Sequence, residues 1–176
     1  MASPQIHAGR RTADLDGEDV VVFVIGMRIN RLRSPKQWLP VFGAMPRMLR
    51  ELGQRPDLGL LHARTYWSGR TFMVLQYWRS WELLQAYAAA SDAEHLPAWR
   101  AFNQQARRGG DAAGIFHETY LVGPGRAESV YVQMPEHGLA AATRSVPVPP
   151  RGDRAAERMR GVTAPGTAAD GEPATS

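Results

Sequence analysis

The chain has no cysteine, so the groups that titrate nearest neutrality are its five histidines, His7, His62, His95, His117 and His137. His117 is the leading candidate for a general base. It stands between Ile115 and Thr119 on one face of the apolar run AGIFHETYLV, where an imidazole can take a proton from a bound carbon acid. Its other reading is an edge-strand side chain bonded to backbone. Glu118 points to the opposite face, so the adjacent pair is no His-carboxylate dyad, and an arginine is its expected partner. Arg28 closes the run VVVFVIGMRI and offers fixed paired donors for an oxyanion or a carboxylate, or else pairs structurally with Glu118. His95 lies three residues after Asp92, in a first helical turn whose free donors favour a neutral imidazole suited to a base, a ligand or a cap. His62 reads as structural or exposed, and His7 and His137 as solvated.

Gln76 is a polar residue in the otherwise apolar run TFMVLQYW, and a buried amide must satisfy backbone or point at a ligand. Tyr66, Trp67, Tyr77, Trp78 and Trp81, joined by Tyr120, make a candidate aromatic wall for a flat, apolar, oxygen-bearing molecule, with ordinary core packing as the alternative. No His-x-x-x-His or Glu-x-x-His array occurs, and His95 and His117 are the plausible axial ligands if a haem were held. Neither Gly109-Gly110 nor Gly123-Pro124-Gly125 has the strand-to-helix setting of a phosphate loop.

Composition bounds the setting of these groups. With 176 residues, 44% hydrophobic and 22% charged, the chain has the profile of one globular domain with tails. All fifteen aromatics lie from Phe23 to Tyr131, so both ends lack large core side chains. The net charge is only +4 and forms no dense basic stripe, which argues against nucleic acid as a partner. The absence of cysteine excludes disulfides and thiolate sites. No apolar signal region begins the chain, and its longest apolar run is far short of a membrane span, so the expected location is cytoplasmic.

The elements that must position the candidates follow from periodicity. The run VVVFVIGMRI is apolar on both faces, as in a strand covered on both sides. Ser34, Pro35 and Gln37 signal a helix start, and Trp38, Val41, Phe42, Met45, Leu49 and Leu52 recur at helical spacing to near Gly53. Pro40 and Pro46 predict a kink or a late start. Residues 58–67 and 70–78 read as a hairpin turning at Ser68-Gly69. Ser80 caps a second helix, and Asp92 another stretch carrying Leu96, Trp99 and Phe102. Residues 113–122 give a further strand and 128–133 a short one. The order β-α-β-β-α-β predicts an α+β, ferredoxin-like plait with the first and third strands central. Residues 1–17 read as a flexible leader, 18–139 as the domain and 140–176 as a disordered Pro/Ala/Arg-rich tail. Apolar residues on both faces of the sheet call for a cover opposite the helices, and a second copy of the chain, making a homodimer, would supply it.

The runs FVIGMRINRLRSPKQWLPVFGAMPRMLREL, TFMVLQYWRSWELLQAYA, DAEHLPAWRAFN and GIFHETYLV, followed by YVQMPEHGLA, closely resemble a monooxygenase-like family long catalogued as a domain of unknown function and similar to the monooxygenase of the fumagillin biosynthetic cluster. The resemblance covers roughly residues 20–140. It implies a dimeric α+β barrel of the kind used by antibiotic-biosynthesis monooxygenases, many of which oxidise polycyclic or polyketide substrates without metal or flavin. It supplies no established catalytic set. An oxygenase of that kind needs a base, donors for the enolate and an apolar chamber that admits dioxygen. His117 would be the base, Arg28 or Gln76 would steady the charge, and His95 stands in reserve. The expected function is a cofactor-independent monooxygenase acting on a hydrophobic, enolisable small molecule and dioxygen. The alternatives are a redox-neutral isomerase, cyclase or dehydratase, or a non-catalytic small-molecule-binding protein.

Overall fold

The computed structural model describes residues 5–90 and 110–159. Its centre is a four-stranded antiparallel sheet of β2 (Val20–Ile29), β3 (Leu60–Ser68), β4 (Thr71–Trp78) and β5 (Ala113–Val122), in the order β3-β4-β2-β5. β2 and β4, the two most continuously apolar runs, hold the middle, as the ferredoxin-like α+β plait requires. Helices α1 (Pro35–Gln54) and α2 (Trp81–Ala89) connect these strands and cover one face.

β2 is buried on both sides because each face has its own cover. Val21 and Phe23 pack with Met48, Leu52, Trp78, Leu84 and Tyr87 under the helices. Val20 and Val22 pack on the other side with Leu75, Tyr77 and Leu139. α1 starts at Pro35 and runs without interruption through Pro40 and Pro46, so the late start does not occur. Ser34 occupies its N-cap position but makes no side-chain cap bond, so the capping box does not form. Ser80 does cap α2, accepting from the Leu83 N–H at 3.3 Å. The hairpin pairs Ser68 with Thr71, which makes Gly69 and Arg70 the turn; Gly69 takes φ +57°, a conformation open to glycine at little cost.

The ends of the chain differ from the leader and tail expected for them. β1 (His7–Asp14) pairs antiparallel with both β6 (Tyr131–Met134) and β7 (Arg144–Pro147), forming a second, three-stranded sheet. α3 (Gly138–Ala142) joins β6 to β7, and a short α4 (Ala155–Met159) follows. Apart from Tyr131 these segments fold without aromatic bulk, because backbone pairing, small apolar groups and arginine do the work instead. Leu139, Ala13 and Leu15 join the core beneath Tyr77. Arg144 pairs with Asp14 and Arg10 with Asp153. Arg158, 8% exposed, meets Glu128 at 2.8 Å and donates to the carbonyls of Gly152 and Asp153. Part of the face that seemed to need a second copy is therefore covered by the chain itself. The stretch after Asp92 and the residues beyond 159 lie outside the described residues.

Candidate functional site

A cavity of about 320 Å³ lies between the helical face of the sheet and helices α1 and α2. Strand alternation decides which side chains reach it. In the registers Phe23↔Gln76 and Ile25↔His117, Phe23, Ile25, Gln76 and His117 share the helical face. Met27, Met45 and Met48 give the wall a flexible, polarisable apolar lining. The polar side chains on the wall are Gln76, Gln85, His117 and Thr119 with the indoles of Trp78 and Trp81 and the Tyr87 phenol, which is turned away to donate to Glu51 at 2.7 Å. Among the described residues, no Asp, Glu, Lys or Arg lines it.

The floor is formed by Gln76 and Trp78, which are 1% and 0% exposed. The Trp78 indole N–H donates to Gln76 Oε1 at 2.8 Å. Indole nitrogen is a donor only, so the amide must present its oxygen to Trp78 and turn its NH₂ the other way. That NH₂ is buried and has no hydrogen-bond partner among the described residues. Leaving a buried amide donor unpaired costs about 1–3 kcal/mol. His117 is exposed on edge strand β5, its ring 6.0 Å from that of Phe23.

Sequence reasoning named four residues that meet here, His117, Gln76, Trp78 and Trp81. Arg28, Tyr66 and Tyr120 alternate onto the opposite face and do not reach the cavity. Arg28 is exposed and donates to Asn30 at 2.6 Å; Tyr120 donates to Glu118 at 2.6 Å, taking the place expected for an arginine. Trp67 shares the helical face but lies near the hairpin tip, 72% exposed and stacked on Phe72 with centroids 5.8 Å apart. His95 lies outside the described residues. The methionines and Gln85 were missed. Tyr66, far from solitary, bonds His137 Nε2 at 2.9 Å on the other side of the sheet. His62 and His137 there each keep a buried, unpartnered ring nitrogen, and burial together with nearby Arg64 holds both below the ordinary histidine pKa.

A haem would need an axial imidazole and partners for two carboxylate arms. The described lining offers His117 but no cation, so these residues do not fit that group. Among the described residues no group of three His, Asp or Glu can hold a metal ion. No described helix is long and apolar enough to cross a membrane.

Comparison with known proteins places the fold and the family. An aldoxime dehydratase, OxdRE, solved in complex with butyraldoxime, superposes with a TM-score of 0.61 at 13% identity, over 77% of this chain and 42% of its own. The chain thus spans less than half the length of that enzyme. SnoaB, a cofactor-independent oxygenase from Streptomyces nogalater, aligns with a TM-score of 0.41 at 12% identity, over 58% of this chain and 91% of its own. No curated protein matches the sequence. Residues 20–139, the span of the four-stranded sheet with α1 and α2, match the model of one family, and the chain belongs to it: the monooxygenase af470-like family.

Proposed function

We propose that the protein is a cofactor-independent monooxygenase that deprotonates a hydrophobic, enolisable small molecule and lets the resulting carbanion react with dioxygen. The observation that carries this reading is that a base candidate, His117, and a buried amide, Gln76, line one cavity whose described lining holds no charged carboxylate, lysine or arginine. His117 takes the proton from carbon, and the Gln76 amide stabilises the oxygen on which the negative charge settles. The apolar wall keeps water from the carbanion. The carbanion passes an electron to dioxygen, and the radical pair closes a C–O bond to a peroxide, which takes back the proton held by His117. The hydroperoxide then loses water as its O–O bond breaks and a carbonyl forms. For a reacting methylene the balance is R₂CH₂ + O₂ → R₂C=O + H₂O.

The working form proposed is a homodimer. Support comes from edge strand β5, where Phe116, Tyr120 and Leu121 stay exposed in the single chain.

The test is oxygen uptake with anthrone as substrate, corrected for the protein-free reaction. His117→Ala should lower the catalysed rate by about 10²–10⁴-fold while circular dichroism stays unchanged. An unchanged rate removes His117 from the mechanism, and product formed without oxygen uptake places the protein among redox-neutral enzymes.

A further inference from the structure

The end of the plait where the β3–β4 hairpin turns carries a surface that the cavity does not account for. Four aromatic rings cross it in a row, Trp67 on Phe72, Phe72 on Phe42 and Phe42 on Trp38, with centroids 5.8, 4.9 and 6.3 Å apart. Leu39 follows Trp38 on α1, and Leu32 lies in the preceding loop; they are 53% and 52% exposed, and Trp67 and Phe42 are exposed with them. Both indoles have their polar atom occupied within the chain. Trp67 Nε1 donates to the Gly69 carbonyl of its own turn, and Trp38 Nε1 to the Leu32 carbonyl. Rings so satisfied can enter an apolar medium without leaving a donor unpaired.

The charge beside these rings has one sign. Residues 20–50 hold Arg28, Arg31, Arg33, Lys36, Arg47 and Arg50 and no Asp or Glu, and residues 58–81 hold no acidic group either. Arg31, Arg33 and Lys36 are exposed in the β2–α1 loop and the first turn of α1, where the helix dipole disfavours a cation. Arg70, in the hairpin turn, reaches the Asn30 carbonyl of that loop at 3.4 Å, so cations and rings share one end of the molecule. Asp111, beside the loop, is paired with Arg31 at 2.6 Å. Asp14, Asp16, Glu18 and Asp19 precede β2 and lie at its other end, roughly 30 Å away along the strand. Exposed aromatic and aliphatic groups rimmed by cations suit an anionic bilayer: the apolar groups enter the headgroup boundary and the cations meet lipid phosphates. A nucleic acid would stack on the rings but would leave the aliphatic Leu32 and Leu39 unused. Docking at the surface needs no spanning helix.

We propose that this end of the plait docks the protein on an anionic lipid bilayer, with Trp67, Leu39 and Leu32 entering the headgroup boundary and Arg33, Lys36 and Arg70 meeting phosphates. Met27 and Val41 of the cavity wall adjoin Phe72 and Phe42 through strand register and sequence, so the cavity lies next to the phase in which an apolar molecule collects. The docking stands apart from the reaction, and it is tested by binding. Full-length protein is sedimented with vesicles of phosphatidylcholine alone and of phosphatidylcholine with about 30 mol% phosphatidylglycerol. The partition constant should be at least about tenfold higher on the anionic vesicles, and high salt should remove most of that difference. Trp67→Ala with Leu39→Ser should lower it about tenfold, and Arg33→Glu with Lys36→Glu at least about tenfold, with circular dichroism unchanged. All four positions are exposed, and either pair serves if the other fails to fold. Equal partition on the two vesicle types overturns the proposal, as does anionic binding that neither pair weakens, which would belong to arginines elsewhere in the chain. So does a wild-type dimer that Trp67→Ala with Leu39→Ser converts to monomer, since the surface is then a contact between copies. Tight binding of a thymidine oligonucleotide without vesicle binding would make it a nucleic-acid surface and overturn the proposal as well.

Discussion

At the scale of residues, what decides the site is the direction each side chain faces. His117 and Gln76 were legible because each is polar in an apolar strand, and a strand with a period of two assigns each residue to one face. Arg28, Tyr66 and Tyr120 were misplaced for the same reason. Their types suited the chemistry, but which face of one strand matches which face of the next is set by pairing register, and that cannot be read along a single strand. The orphan NH₂ of Gln76 was out of reach of sequence, since it follows from a bond to the side chain two residues on. If this amide steadies the developing oxyanion, Gln76→Leu should lower kcat for anthrone by about 10²-fold, the usual cost of deleting one such donor. A change confined to KM in steady-state kinetics would instead make Gln76 a ground-state contact only.

Among the elements, the four strands and two helices of the central plait were legible because their apolar periods are strong and their turn signals local. The second sheet was not. β1 reads HAGRRTAD, β6 YVQM and β7 RSVP, short and polar segments whose stability comes from pairing across more than a hundred residues of sequence. The layer that joins this sheet to the plait carries His62, Tyr66, Tyr77 and His137. Burial, with the phenols of Tyr131 and Tyr66 nearby, pushes the Tyr77 phenol up to about 12. His62 and His137 are held below their ordinary value of 6.5, first by burial and then by Arg64. A lowered histidine pKa means the unfolded chain binds the proton more readily. The stability these groups allow is complete above about pH 6.5 and is lost as the pH falls through their lowered folded values. Thermal melts from pH 7.5 to 5 should show a falling Tm, and the double variant His62→Gln, His137→Gln should flatten that slope. An equal slope in both proteins would place the acid sensitivity elsewhere.

For the molecule as a whole, the chain covers part of the sheet's second face with its own ends, so the case for a partner copy rests on the edge at β5. Leu121 is 69% exposed and Tyr120 51%, on opposite faces of the same strand. Light scattering on a size-exclusion column at micromolar concentration should report a dimer, and Leu121→Asp should shift it toward monomer. A wild-type monomer would remove the dimer from the account. The central claim, that a proton-abstracting cavity without a resident cofactor hands its carbanion to dioxygen, is tested most directly by isotope. Anthrone turned over under ¹⁸O₂ should give anthraquinone carrying one ¹⁸O atom, formed faster than in the protein-free control and at a rate that falls with His117→Ala. Unlabelled product, or labelled product formed no faster than in the control, would contradict it.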